Sequence, residues 1–190
     1  MNIKTLRVIL LTMTVLMIMT TTGCGMRYMV KGKIIDMDTG QPIEGAVVSI
    51  LWKKVSEWLP GLGTSYKILE QFDCFTGPDG EFKIPKRASI TDSFLSYRMA
   101  VYKKGYVCWE NEDIFPTYEK RKGFRIKYGM TIELDPFKEG YSKSRHAAFV
   151  SSVTSRDLEN TRNSKLYEAT KEEREIIKKN WEEWRKGKQQ

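Results

Sequence analysis

From Met29 onward the apolar residues recur at every second position, in short runs that glycine or proline terminates. Val30, Gly32 and Ile34 fall on one face while Lys31 and Lys33 fall on the other, the signature of a half-buried strand. Asp38, Thr39, Gly40, Gln41 and Pro42 then supply turn chemistry. Residues 46–52 (AVVSILW) form a second β-rich run, apolar on both faces near its centre. Residues 66–75 read as a third strand, and the turn Gly77-Pro78-Asp79-Gly80 leads into a fourth, where Phe82 and Ile84 alternate up to Pro85. A fifth over 94–103 puts Leu95, Tyr97, Met99 and Val101 on one face, a short sixth is expected at 107–109, and Met130, Ile132 and Leu134 mark the last. Several short strands with turns between them and no helical period predict a mainly β fold, an antiparallel sandwich of about seven strands.

The intervening segments lack that pattern. Residues 53–65 hold Pro60, Gly61 and Gly63 and read as a long loop, and 110–128 are polar and mixed. Over 138–164 apolar periodicity is lost and serines recur, which reads as a linker. The period then becomes helical. Leu166, Ile177, Trp181 and Trp184 fall near one stripe, Thr170 and Glu173 have the spacing of a capping box, and Gly187 closes an amphipathic helix over 165–187.

The first 23 residues have a different character. Lys4 and Arg7 precede an apolar run over 8–20, and Thr21, Thr22 and Gly23 lead to Cys24. A basic start, a dozen apolar residues and a small-residue exit describe an export signal, too short for comfort as a permanent membrane span. Small residues followed at once by cysteine resemble the lipobox of bacterial lipoproteins. The resemblance implies cleavage before Cys24, lipidation of its thiol and a membrane-held tether over 24–27. Gly25 stands where an inner-membrane retention signal would carry aspartate, so the implied address is the outer membrane, facing the periplasm or the cell surface. Loss of Lys4 and Arg7 lowers the formal charge from +8 to +6. In this compartment nucleic acid is not the expected counter-charge; anionic lipid, polysaccharide or plain solvent is. With Cys24 acylated, Cys74 and Cys108 remain, either as a disulfide that export permits or as two buried free thiols.

Three phrases resemble one family. They are residues 30–36 with 39–48 (VKGKIID, TGQPIEGAVV), residues 76–85 (TGPDGEFKIP) and residues 101–106 (VYKKGY). In this order they resemble the carboxypeptidase regulatory-like domain, over about residues 28–137. The resemblance implies a transthyretin-like (prealbumin-like) seven-strand sandwich without catalytic residues or cofactor, an appendage often found beside an enzyme or a membrane channel. The residues themselves supply turn geometry: Asp36 and Asp79 can accept turn amides, and Tyr106 can bury its ring and hydrogen-bond through its hydroxyl.

Nothing in the sequence assembles reactive chemistry. The single histidine, His146, sits in the expected linker, where a solvent-exposed ring is the simplest reading. No serine has a nucleophile-elbow context, no phosphate loop is present, and the acidic group Glu110, Glu112 and Asp113 lacks EF-hand spacing. No metal or cofactor is expected. Aromatic residues offer the binding hint: Trp58 and Trp109 near the expected loops, and Trp181 and Trp184 on the terminal helix. The expected function is that of a non-catalytic, membrane-anchored envelope lipoprotein whose sandwich is a structural or protein-interaction module. The alternative is a carbohydrate-binding module reading envelope or extracellular polysaccharide through loop aromatics. An exposed apolar strip on the terminal helix favours the first; coplanar exposed aromatics on one face favour the second.

Overall fold

The computed structural model describes residues 29–57, 64–85, 95–155 and 164–188. The strands are β1 (Met29–Asp36), β2 (Val47–Glu57), β3 (Thr64–Phe75), β4 (Glu81–Pro85), β5 (Leu95–Tyr102), β6 (Trp109–Glu110), β7 (Asp113–Ile114), β8 (Glu119–Lys120) and β9 (Met130–Leu134). The helices are α1 (Lys143–Ser155), α2 (Lys165–Ala169) and α3 (Lys171–Gly187). Two sheets hold seven of these strands, in the orders β4-β1-β9 and β3-β2-β5-β6, and β7-β8 form a separate ribbon. The fold is mainly β with a C-terminal helix. It is not purely antiparallel, because β9 lies parallel to β1, with Gly32 opposite Met130 and Asp36 opposite Leu134.

The two sheets face each other across one core. Ile34, Phe82, Ile84, Ile132 and Leu134 from the smaller sheet meet Val48, Ile50, Met99 and Val101 from the larger. These are the alternate residues of each strand, as the period-two reading expects. Gly32 of β1 permits the close packing: the Phe82 ring occupies the space a Cβ would need. At the turn before β4, Gly80 has φ +72°, and a side chain there would drive its Cβ into the Ile34 carbonyl, so glycine alone fits without strain.

The residues between them in the larger sheet point to a second core. Val47, Ala100 and Tyr102 pack against Val107, Cys108 and Phe115, and then against Phe149, Val150 and Val153 of α1 and Leu166 of α2. The molecule therefore has three layers: small sheet, large sheet, helices. The central sheet is covered on both faces, which accounts for a β2 that is apolar on both faces near its centre.

That third layer corrects the reading of 138–164 as a linker. Ser142 caps α1 by accepting the Arg145 N–H at 3.3 Å, and the helix runs to Ser155. Its buried positions are His146, Ala147, Phe149, Val150, Val153 and Thr154, a helical stripe whose two ends are polar, so hydrophobicity alone does not reveal it. The terminal helix is also interrupted. Ser164 caps α2 by accepting the Tyr167 N–H at 3.0 Å. Thr170, fully buried between α2 and α3, donates its hydroxyl to the Leu166 carbonyl at 2.9 Å instead of capping α3. Glu173 turns away to accept the Tyr102 hydroxyl at 2.6 Å, so the expected capping box does not form. The loop expected over 53–65 is mostly strand: β2 continues to Glu57 and β3 starts at Thr64, and 58–63 lie outside the described residues.

The cysteine pairing is corrected as well. Cys74 and Cys108 are free thiols. Cys74 is level with Val48, Val101 and Trp109 across the sheet, so three strand spacings, roughly 14 Å, separate β3 from the strand that follows Cys108. The two side chains also lie on opposite faces of the sheet, Cys74 against the inter-sheet core and Cys108 in the helix-facing one. A disulfide needs Cα atoms within about 7 Å. Burial pushes both thiol pKa values up, so both stay protonated.

Candidate interaction surface

The end of the sandwich that holds Asp36 is organised by one tyrosine. Asp36 Oδ1 accepts the Asp38 and Thr39 amides at 2.9 and 2.8 Å, closing the turn that Gly40 completes. Its Oδ2 accepts the Tyr106 hydroxyl at 2.9 Å, tying the turn after β5 to the turn after β1. The turn amide of Thr39, followed by the Tyr106 hydroxyl, holds the Asp36 carboxyl below the usual carboxylate range.

The start of α3 docks on this end. Glu172 pairs with Lys104 at 2.5 Å and Glu173 receives the Tyr102 hydroxyl. Burial, then the Glu173 carboxylate, raises the Tyr102 phenol well above its ordinary range. A cleft of about 380 Å³ opens between these contacts and the start of α1, lined by Lys104, Tyr106, Phe137, Lys143, His146 and Glu173 among others. With Glu172 also on its wall, its lysine and glutamate charges balance.

His146 is not the exposed ring the sequence suggested. It is 5% exposed, stands edge-on to Phe115 and Phe137 at 5.2 and 5.1 Å, and accepts the Cys108 amide on Nε2 at 3.0 Å. That bond fixes the neutral tautomer with the proton on Nδ1. Burial lowers its pKa from 6.5 to about 4. It is a structural acceptor that closes the segment before β6. The acidic group is likewise structural. Glu110 is fully buried, accepts Arg98 Nε on one oxygen and the Asp113 amide at 3.2 Å on the other. Asp113 pairs with Lys120 at 2.8 Å. Among the described residues no group of three His, Cys, Asp or Glu side chains could hold a metal ion.

Of the aromatic candidates, Trp109 is withdrawn from binding. It is 9% exposed, packs in the inter-sheet core edge-on to Phe124 at 4.9 Å, and carries the Arg121 guanidinium 4.8 Å from its ring. Trp58 and Cys24 lie outside the described residues. Trp181 and Trp184 are 56% and 53% exposed and stand edge-to-face at 5.3 Å. Among the described residues the last hydrogen bond between α3 and the body is Asn180 Nδ2 donating to Ser144 Oγ at 2.7 Å, and every residue from 181 to 188 is exposed. With Ile177 and Asn180 the two indoles border an open hollow of about 390 Å³. Lys188 Nζ stands 4.2 Å above the Trp184 ring. Two adjacent tryptophans on a rigid helix, apolar in face and polar at the ring nitrogen, make a surface suited to insertion into a complementary groove. Among the described residues no helix is long and apolar enough to cross a membrane.

No protein-family description matches this chain, and no curated protein matches it. Among solved structures it resembles the shaft pilin SpaA from Lactobacillus rhamnosus GG, at 14% identity and a TM-score of 0.32, over 58% of this chain and 46% of the pilin chain. A Streptococcal ancillary pilin is similar at 11% identity and a TM-score of 0.29, over 58% and 30% of the two chains. 3-Chlorocatechol 1,2-dioxygenase from Rhodococcus opacus 1CP is similar at 13% identity and a TM-score of 0.30, over 57% and 55%. The chain thus spans less than two thirds of each of these three. At such scores neither a pilus role nor an oxygenase activity passes to this protein.

Proposed function

We propose that this protein is a membrane-tethered, non-catalytic envelope lipoprotein whose β-sandwich holds an interaction helix at a fixed place. The tether is Cys24, lipidated after removal of residues 1–23, and the outer membrane is its address. More than one acyl chain is needed for stable anchoring, and a lipidated and N-acylated cysteine supplies that. The finer topology belongs to the same proposal: a transthyretin-like domain of the carboxypeptidase regulatory-like kind over about 28–137. Its support is that the three resembling phrases fall at β1 and the turn after it, at the turn into β4, and at the end of β5 with its Gly105 turn.

The observation that carries the interaction reading is the exposed Trp181–Trp184 pair on α3, beyond the last tie to the body. An exposed apolar strip on this helix is what favours a protein partner over polysaccharide, and burial of Trp109 removes one of the loop aromatics a sugar site would use. Labelling cells with radioactive palmitate tests the anchor: label enters the wild type and not Cys24→Ala, and the variant moves to the aqueous fraction. Equal labelling of both refutes it.

A further inference from the structure

The direction of α3 and the charges beside its tryptophans narrow the partner, an inference that rests on the anchoring proposed above. The chain enters the fold at Met29 and β1 runs to Asp36, eight residues or about 23 Å along the strand. The α3 contacts gather at the Asp36 end. Asp36 binds Tyr106, Tyr106 lines the cleft with Glu172 and Glu173, and Asn180 ties to Ser144 at the start of α1. The chain from Cys24 to the start of β1, residues 24–28, is five residues, at most ~18 Å when fully extended. A body held through it presents the Trp181–Trp184 end beyond the far side of the sandwich, away from the bilayer that holds Cys24.

The charges then separate the remaining occupants. At 3.6 residues per turn Ile177, Trp181, Trp184 and Lys188 share one stripe, with Lys178 and Arg185 along its outer flank and Asn180 on the flank facing the body. Glu183 lies off the stripe, within 3.9 Å of Lys179. A second copy is a poor fit. Two antiparallel helices related by a two-fold axis bring the same flank together, so Lys178 and Arg185 would meet like charges, with Glu182, further round the helix, as the acid nearest them.

We infer that the Trp181–Trp184 face of α3 docks into an apolar groove on another envelope protein, with carboxylates along the groove edge that meets Lys178, Arg185 and Lys188. The tryptophans fill the groove and the basic flank fixes its orientation, the helix-in-groove mode of recognition. The basic rim contributes mainly to choice of partner and speed of encounter.

The test uses the full-length protein in its own cell envelope, with two chemistries that read different atoms. A benzophenone amino acid at position 184 labels whatever lies against the apolar stripe. Separately, a water-soluble carbodiimide joins lysine amines to carboxylates in contact with them. The expected result is one foreign protein in both adducts, with an isopeptide from Lys178 or Lys188 to its Asp or Glu mapped by mass spectrometry. Lys178→Glu with Arg185→Glu should lower the photo-adduct yield at least tenfold at unchanged melting temperature. A lipid adduct, an adduct of twice the protein's own mass, no adduct, or a yield indifferent to charge reversal overturns the inference. Fractionation of the same cells separates the two readings: wild-type protein in the aqueous fraction refutes the anchor, while the adducts still decide the partner.

Discussion

Protonation of His146 should set a pH-dependent part of this protein's stability, and the direction follows from its surroundings. The ring is neutral in the fold because it accepts the Cys108 amide between two phenylalanines, and its pKa falls from 6.5 to about 4. The unfolded chain binds a proton below about pH 6.5, whereas the folded chain resists it until about pH 4. Between those values the unfolded state holds more protons, so stability drops as pH falls and levels off below about 4. The full shift sets a ceiling of about 3 kcal/mol. Solvent in the adjoining cleft screens part of it, leaving roughly 1–2 kcal/mol. The comparison is with His146→Phe, which keeps an aromatic ring but leaves the buried Cys108 N–H without its acceptor, at a cost of ~1–3 kcal/mol. Urea unfolding of both proteins from pH 7.5 to 4 gives the difference free of titrating carboxylates, which both share. The wild type's advantage should shrink steadily from pH 6.5 to 4. Because the chain has a single histidine, its ring resonances report the pKa directly by NMR. A ring that titrates near 6.5, or an advantage that stays constant with pH, refutes the reasoning.

Other perturbations test the fold's less visible supports. Arg98→Met or Glu110→Leu alone strands a buried charge and should cost ~3–5 kcal/mol in urea unfolding, whereas the double variant should recover much of the loss. Gly32→Ala drives a methyl into the Phe82 ring and should cost ~1–3 kcal/mol, measured the same way. With Cys24 replaced by alanine, thiol titration of the unfolded protein should find two reactive groups, and added reductant should leave the melting temperature unchanged; a drop would revive the disulfide. Trp181→Ala with Trp184→Ala should change unfolding free energy by less than about 0.5 kcal/mol, since both rings are half exposed.

The strands were legible because inward residues on the small sheet are mostly apolar and their outward neighbours mostly polar, as in Val30-Lys31-Gly32-Lys33-Ile34. The Asp36 and Asp79 turns were legible for a similar local reason: each carboxylate accepts an amide two residues on, Asp38 or Glu81. What escaped was non-local. Arg98 and Glu110 sit twelve positions apart and look like ordinary surface charges until β5 and β6 pair and bury both. His146 reads as solvent-exposed among Arg145, Ala147 and Ala148, because its partner is the Cys108 amide, thirty-eight residues earlier. Trp109 and Trp184 are chemically alike, and only the packing of Phe124 over one and the free helix end beneath the other separates core from surface.

One clue bore on the missing layer. In β2 the inward set Val48 and Ile50 alternates with Val47 and Leu51, which are equally apolar. A sandwich strand with one wet face would carry polar residues there, so a strand apolar on both sides requires a cover on the second side as well. In the stretch from 138 on, a stripe at 146, 149, 150, 153 and 154 has the spacing for that cover once His146 and Thr154 are admitted to it. The buried histidine and the third layer are therefore one feature seen twice. The ring is neutral because the helix that carries it lies on the central sheet, and that helix also ties to α3 through Ser144 and Asn180. A substitution that loosens α1, such as Val150→Ala, should thus lower the melting temperature and raise the His146 pKa together. If the melting temperature falls while His146 still titrates near 4, helix packing and the histidine's burial are separable and this coupling is wrong.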